Sequence, residues 1–257
     1  ILLIADPKQA YTSQELANLD AYIARGGNLM LLVEPESQAV VQPLLDRLGV
    51  SLMDGCLAEK PVIELANVVC SSFTPEGRAL FQGRYYPFGI PMLAMNGVAA
   101  FKISNTSDFN VIPMMKSAPD SWNKIGKVDW IMGPIEPDPA KGELVGANAT
   151  VLGAIRQIGG REQRVFIAGD ADWMSNRELV QGRQGFRGHG PSAMNWLLSD
   201  WMTHGQAPLH LSYPQVTDTK MSITQKGAFW VRMVLVWGVA IVLVVSGAIT
   251  CIRRNRY

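Results

Sequence analysis

The sequence predicts an α/β domain with a mainly parallel sheet flanked by helices, of the Rossmann or flavodoxin-like kind, followed by one C-terminal transmembrane helix. Two observations predict the domain. Short apolar runs alternate with helical segments over residues 1–49, and a buried run at residues 165–168 returns to the strand pattern. The anchor is predicted by residues 233–252, which contain no charged side chain.

The first fifty residues have the pattern of two β-α units. Residues 1–5 and 29–33 are apolar runs without alternation, which is typical of strands buried on both faces. Between them, Thr12 and Glu15 have the spacing of a helix capping box. The second helical segment ends at Gly49, where glycine can supply a left-handed conformation. Because the connections are short, we expect a parallel sheet covered by helices.

The middle of the chain is less regular. Residues 61–70 and 98–103 predict further strands, and residues 85–91 predict an ordered aromatic loop. The proline-rich segment 134–142 predicts a linker or an extended lid. Near the end of the domain, Ser192 predicts the N-cap of the last helix.

Charge and cysteine usage narrow the class of protein. The nearly balanced net charge, +1, argues against a nucleic-acid binder, which requires a basic face. Cys56 and Cys70 could pair if the domain is extracytoplasmic, but two free, partly buried thiols are the favoured interpretation, and the spacing fits no zinc pattern. The chain begins inside an apolar run without an initiator Met, so we expect a fragment whose export signal, if any, lies upstream.

The apolar segment predicts a membrane span bounded by arginines. About 20 residues at ~1.5 Å rise cross the ~30 Å hydrocarbon core, and Phe229 and Trp230 would lie in the interfacial aromatic belt. Arg253, Arg254 and Arg256 favour a cytoplasmic C-terminus with the large domain outside. The predicted organisation is an extracytoplasmic domain (1–212), a juxtamembrane connector (213–229), a transmembrane helix (230–253) and a basic cytoplasmic tail (254–257).

Small residues in the span predict where it packs against other helices. Gly238, Ser246 and Gly247 would let a neighbouring helix approach closely. Gly238 is not spaced for a GxxxG pair, so self-dimerisation through that motif is not indicated. The predicted neighbour is therefore a helix of another membrane protein.

Motifs of the common catalytic classes are absent from the sequence. No GxxxxGK[ST] phosphate-binding loop, GxSxG elbow or HExxH zinc motif occurs. Neither Cys56 nor Cys70 lies on a strand-to-helix elbow, and His189, His204 and His210 are scattered in predicted loops. The sequence therefore predicts a protein that is not an enzyme and carries no cofactor or metal.

Four acidic residues are the candidate ligand-binding residues. Asp6, Glu34 and Asp170 each follow a predicted buried strand, and Asp172 lies two residues further on. In open α/β sheets, ligands bind at the carboxyl edge of the strands. Carboxylates there could hold a cation or hydrogen-bond a sugar. The favoured alternative is that these side chains cap helix N-termini and accept hydrogen bonds from loop amides.

Several short strings occur in an order that resembles one protein family. The first is YTSQEL at residues 11–16, which continues through Tyr22 and Ile23 to GGNL at 26–29. The second is RVFIAGDADW at 164–173, followed by Ser175 and Asn176, and the third is NWL at 195–197. With a terminal anchor followed by arginines, this order resembles the GldG-like auxiliary component of ABC transporters, named for gliding motility. The resemblance is weakest between residues 61 and 142, and residues 189–192 (HGPS) replace the family's asparagine-containing approach to the last helix.

The resemblance implies a periplasmic α/β domain anchored in the bacterial inner membrane. Its partners would be an ABC permease and its cytoplasmic ATPase, and in some members of the family the domain is fused to the permease. The function hypothesis is a non-catalytic auxiliary subunit that docks on the permease, with contact to cargo as a further option. One alternative is a membrane-tethered amidotransferase-like enzyme, and a nucleophile elbow would favour it. The other is an extracytoplasmic sensor, and a ligand bound at Asp6 and Asp170 would favour that.

Overall fold

The computed structural model describes residues 1–60, 65–81, 92–104, 106–130, 135–175, 178, 190–206 and 225–254. The chain divides into two compact units, Ile1–Leu209 and His210–Tyr257. The predicted aromatic loop at residues 85–91 lies outside the described residues, as do His189, His210 and Arg256.

The first unit alternates strands and helices at its start and is rich in strands afterwards. Its elements are β1 (Leu2–Ala5), α1 (Ser13–Ala24), β2 (Leu29–Leu32), α2 (Gln38–Arg47), β3 (Val50–Leu52), β4 (Cys56–Ala58), β5 (Val68–Phe73), α3 (Pro75–Ala79), β6 (Leu93–Asn96), β7 (Phe101–Ile103), β8 (Asn110–Lys116), β9 (Trp122–Lys124), β10 (Ala149–Ile158), β11 (Arg161–Ala168) and α4 (Gly190–Met202). Short 3-10 turns occur at Pro35–Ser37, Pro139–Lys141 and Asp172–Met174.

The main sheet is mixed, so the prediction of a mainly parallel sheet is wrong. Its strand order is β1-β2-β11-β10-β8-β5-β6, with β7 pairing with β10 and β3. Among the described strands, only β1–β2 and β2–β11 are parallel pairs. The physical reason is the tight turn at Gly159 and Gly160, both with positive φ, which joins β10 to β11 and can connect only antiparallel neighbours.

The amino-terminal β-α units follow their predicted pattern. Thr12 caps α1: its hydroxyl accepts from the Glu15 N–H at 3.2 Å, and the Glu15 carboxylate accepts from the Thr12 N–H at 2.8 Å. This confirms the capping box. After α2, Gly49 has a φ of 69°, and a Cβ there would lie 2.5 Å from the Ser104 carbonyl oxygen. Only glycine fits that position, which confirms the predicted helix end.

Other sequence expectations need correction. The strand expected at residues 61–70 is observed at Val68–Phe73, and the one expected at 98–103 covers only Phe101–Ile103. Ser192 lies inside the first turn of α4, which begins at Gly190, so its assignment as N-cap is wrong.

Hydrophobic cores cover both faces of the sheet, because successive side chains of a strand point to opposite faces. One face packs against α1 and α2, and its core includes Leu29, Leu31, Ile23, Val41, Leu45 and Leu48. The other face packs against α4, and its core includes Met30, Leu32, Phe166, Met194, Leu198 and Trp201. The result is a helix-flanked sheet whose central strands β2 and β11 are buried on both sides.

The described part of the second unit is one long apolar helix. It consists of α5 (Gln225–Met233), a π-helical turn (Val234–Gly238) and α6 (Val239–Arg254). Its apolar part, Gly227–Arg254, has 28 residues, and where the structure describes their side chains these are not buried. At ~1.5 Å per residue this helix is about 42 Å long, enough to cross a ~30 Å hydrocarbon core. By length and composition it is suited to be a membrane anchor.

A backbone crossing closes the carboxyl edge of the two central parallel strands. The N–H of Ala99 donates to the Gly169 carbonyl at 2.7 Å, and the Gly169 N–H donates to the Thr150 carbonyl at 3.0 Å. A Cβ on Gly169 would lie 2.0 Å from the carbonyl oxygen of Ala99. Residues 98–100 are buried at this crossing, so the edge requires glycine at position 169.

Gly169→Ala should therefore destabilise the domain by about 1–3 kcal/mol or more, because backbone would have to move. Gly146→Ala is the matched control, since an added methyl group there meets no atom within 4 Å. Its effect should stay within about 0.5 kcal/mol. Denaturant unfolding of the detergent-solubilised chain, followed by circular dichroism, measures both. Equal stabilities of the two variants would contradict the close crossing.

Candidate functional site

The predicted acidic residues lie at one edge of the sheet. The register pairs Ala5 with Leu32 and Leu32 with Ala168, so β1, β2 and β11 end level with one another. The side chains that follow these ends influence one another: the charges of Asp170, Asp172 and Asp6 all act on Glu34. The structure therefore brings the four predicted residues into one electrostatic neighbourhood.

Asp170 is buried, and both oxygens of its carboxylate accept hydrogen bonds from backbone N–H groups. One carboxylate oxygen accepts from the Asn96 N–H at 2.9 Å, and the other accepts from the N–H groups of Asp172 at 2.6 Å and Trp173 at 3.2 Å. Burial raises the pKa of Asp170 to about 6, while these hydrogen bonds lower it in part. The side chain joins the end of β6 to the 3-10 turn after β11, which is a structural role.

Glu34 is half-buried and ties the end of β2 to the loop after β11. Its Oε1 accepts from the Ala171 N–H at 2.8 Å. The pKa of Glu34 is raised to about 8, chiefly by burial. The negative charges of Asp170, Asp172 and Asp6 contribute to this rise, and the hydrogen bond from Ala171 opposes it. At neutral pH the folded protein therefore favours the protonated form of Glu34.

Asp6 and Asp172 complete the acidic edge without converging on a common point. Asp6 has a φ of 43°, a left-handed conformation that few residues other than glycine adopt, and its carboxylate pairs with Lys8 at 2.5 Å. Asp172 is exposed and begins the 3-10 turn. Within the part of the chain that the structure describes, no three His, Cys, Asp or Glu side chains are arranged to hold a metal ion.

Residues of the GGN and RVF strings hold α4 at the amino-terminal end of β2, opposite to the acidic edge. The Asn28 side chain accepts from the Arg164 N–H of β11 at 2.8 Å and donates to the Met202 carbonyl at the end of α4 at 2.9 Å. The Arg164 guanidinium lies 5.3 Å from the centre of the Trp201 ring and donates to the Trp201 carbonyl. Since the last carbonyls of a helix lack partners within it, these contacts fix α4 on the sheet.

Glycines in the same strings allow close packing. Gly26 has a φ of 89°, and a Cβ on Gly27 would lie 2.4 Å from the Tyr22 ring. The Tyr22 hydroxyl donates to the Asn28 carbonyl at 2.8 Å, which holds the turn between α1 and β2. The strings therefore mark positions of structural constraint rather than a chemical centre.

Residues 1–199 match the family described as an ABC-type uncharacterized transport system, whose members are auxiliary components. The chain belongs to this family of ABC transport auxiliary components. The match covers more than three quarters of the chain, including all four acidic residues and α4 up to Ser199. It confirms the family expected from the order of the short strings.

A solved structure shares the fold of this auxiliary component. The mmIFT52 N-terminal domain superposes with a TM-score of 0.53 at 10% sequence identity, and the match covers 81% of this chain and 78% of that chain. At that identity the likeness concerns the fold alone. No curated protein matches the sequence.

The Cys56 thiol of the auxiliary component is unsuited to nucleophilic chemistry. Among the described residues, Cys56, Cys70 and Cys251 form no disulfide, and Cys56 and Cys70 are half-buried, as the favoured interpretation expected. Burial raises the pKa of Cys56 to about 12, and the nearby charges of Glu36, Glu34 and Asp170 add to the shift. A thiol of this kind stays protonated and unreactive at neutral pH.

Two open clefts are lined by residues other than the acidic four. One, of about 570 Å³, is lined by Leu65, Asn67, Lys127, Val128, Asp129 and Trp130. The other, of about 600 Å³, is lined by Gly26, Asn28, Arg161, Glu162, His204 and Gln206. Of the predicted histidines, His204 is the one described; it follows α4 with a φ of 54°.

The long helix contains the small residues that were predicted to pack against another helix, Gly238, Ser246 and Gly247. The Ser246 hydroxyl donates to the Leu243 carbonyl at 3.0 Å, so it is satisfied within the helix. A Cβ on Gly247 would meet no atom within 4 Å. At ~100° per residue, Gly238 and Gly247 lie about half a turn apart and so face different directions. A single partner helix would therefore contact Gly247 or Gly238, but not both.

The raised pKa of Glu34 predicts a dependence of stability on pH. The folded state holds this proton more tightly than the unfolded chain, so the stabilisation is complete below the ordinary value of 4.5 and is lost as pH rises towards about 8. Glu34→Gln keeps an oxygen for the Ala171 N–H and removes the titration. The variant should therefore melt at a higher temperature than wild type at pH 8, with a flatter profile between pH 5 and 8.

Glu36→Gln is the matched control. Glu36 is exposed, and this substitution removes the same charge two residues further along the chain. It should keep the wild-type profile. Parallel profiles for wild type and Glu34→Gln would show that Glu34 does not titrate in this range.

Proposed function

We propose that this chain is a non-catalytic, membrane-anchored auxiliary subunit or domain that docks on the permease of an ABC transport complex. One observation carries the proposal: a domain matched by the auxiliary family over residues 1–199 is followed by an exposed apolar helix of 28 residues. A single helix cannot form a transport pathway. The pathway and the nucleotide hydrolysis would come from a permease and its cytoplasmic ATPase, either separate from this chain or fused to it.

Two side chains at or near the acidic edge, those of Asp170 and Cys56, are engaged or protonated in ways that support a non-catalytic role. Asp170 is saturated by backbone donors, and burial keeps the Cys56 thiol protonated. The backbone crossing at Ala99 and Gly169 occupies the place where a ligand of an open α/β sheet would sit. These observations favour a docking module over an amidotransferase-like enzyme. They also support a scaffold role for Asp170 and Glu34, whose carboxylates accept hydrogen bonds from backbone N–H groups.

The proposed location of the domain is the periplasm of a bacterium. Arg253 and Arg254 end the helix, and arginines next to a span favour the cytoplasmic side. The other end of the span carries Phe229 and Trp230, whose exposed rings suit the membrane interface. The resemblance to GldG-like proteins supports a transport system of the gliding-motility type.

The helix would pack on the permease through its small residues. Lipid tails are as apolar as leucine, so association in a bilayer depends on close packing rather than on hydrophobicity. The face at Gly247 offers open space beside a hydrogen-bonded pair, in which the Thr250 hydroxyl donates to the Ser246 carbonyl at 2.8 Å. This face is the one that we expect to contact a permease helix.

Gly247→Leu should reduce co-purification of the permease and ATPase by about tenfold, equivalent to ~1.4 kcal/mol, because the larger side chain separates the helices. Val245→Leu is the control, since position 245 lies at nearly the same depth and about 200° around the helix. It should co-purify as wild type does. The measurement is quantitative mass spectrometry after mild detergent extraction and affinity capture of the full chain.

Two outcomes would count against the proposal. If wild type purifies alone and crosslinking in intact membranes finds no ABC subunit, the docking role is wrong. If both variants retain the partners fully, the domain rather than the Gly247 face carries the contact.

A further inference from the structure

A short surface segment, residues 135–143, lies outside the hydrophobic core; it is called the strap here. It contains the 3-10 turn Pro139–Lys141, which Glu136, Pro137 and Asp138 precede and Gly142 and Glu143 follow. Its single buried side chain is that of Glu143, which is 2% exposed. The segment corresponds to the predicted linker or lid. Because apolar burial contributes little to it, polar contacts must hold it in place.

One carboxylate makes most of those contacts. Glu143 accepts from the Ile125 N–H at 3.0 Å and from the Asp138 N–H at 2.7 Å, and it pairs with the Lys124 ammonium at 3.1 Å. Lys124 in turn donates to the Glu136 carbonyl at 2.9 Å. The side chain of Lys124 is itself largely buried, so both charges of the pair are shielded from water.

Within the described residues, the other hydrogen bonds of the strap are internal to it. Asp138 accepts from the N–H groups of Ala140 and Lys141, and Gly142 donates to the Pro139 carbonyl. Among the described residues, the polar contacts that join the strap to β9 and Ile125 therefore all involve Glu143 or Lys124.

We propose that the strap is a lid that opens as a local unit, and that the ion pair between Glu143 and Lys124 is the clasp that holds it closed. Removing one partner of a buried pair leaves the other charge without compensation, so loss of either residue should open the lid. Opening uncovers the Ile125 N–H and the Lys124 ammonium. Those two donors form a site that a carboxylate occupies in the closed state, at the end of an otherwise covered strand.

The clasp is closed at neutral pH. Burial alone would raise the pKa of Glu143, but the N–H groups of Ile125 and Asp138 and the Lys124 ammonium together lower it. Its stabilisation is therefore present above the ordinary value of 4.5 and is lost as pH falls below it. Opening at neutral pH thus requires a competitor for the donors rather than a proton.

Hydrogen exchange of the full chain in detergent micelles, read by mass spectrometry, tests this proposal. In wild type, the amides of Asp138 and residues 141–143 should exchange together, and faster than those of β10 and β11. Glu143→Gln and Lys124→Met should each accelerate exchange of these amides by about tenfold or more, because bonds to a charged group are lost. Exchange in β10 and β11 should not change.

Glu136→Gln is the matched control, because it removes a charge from the strap while its carbonyl still accepts from Lys124. It should exchange as wild type does. Wild-type protection of the strap in both clasp variants would overturn the proposal, since other contacts would then hold the strap. Acceleration of β10 and β11 to the same extent would also overturn it, because the strap would not be an independent unit.

Discussion

The fold depends on how the carboxyl edge of β2 and β11 is closed. The segment after β6 crosses that edge, and its Ala99 N–H bonds to Gly169 while Asp170 accepts from the Asn96 N–H. This crossing lets β7 continue along β10 where β11 ends: Phe101 pairs with Ala149, and Val151 pairs with Ala168. A side chain at position 169 would prevent the approach, and an unpaired carboxylate at position 170 would be costly to bury.

Local patterns in the sequence predicted the first three elements and the long apolar helix well. The capping box at Thr12 and the left-handed Gly49 are signals that a few residues encode by themselves. The direction of strand pairing is not local. The ten residues of β10 carry small and polar side chains among the apolar ones, and only their pairing with β11 and β8 makes them the centre of the sheet.

The acidic edge shows the same limit for the candidate site. Sequence order placed Asp6, Glu34 and Asp170 at strand ends, and the register brings those ends together. The sequence could not show that the backbone N–H groups of Asn96 and Ala171 donate to the carboxylates of Asp170 and Glu34. Each donor is distant in sequence from the carboxylate that accepts from it. Glu143 carries no motif signal at all, and its importance emerges only from its burial and its partners.

If the acidic edge is a scaffold rather than a ligand site, Asp170 stabilises the fold without binding a cation. Thermal unfolding of wild type and Asp170→Asn, with and without added Ca²⁺ or Mg²⁺, tests this role most directly. We expect the cations to leave the wild-type melting temperature unchanged. We also expect Asp170→Asn to cost about 1–3 kcal/mol in either condition, because an amide group would face backbone N–H donors. A cation-dependent rise in the wild-type melting temperature that Asp170→Asn abolishes, without loss of stability in the cation-free protein, would contradict the account.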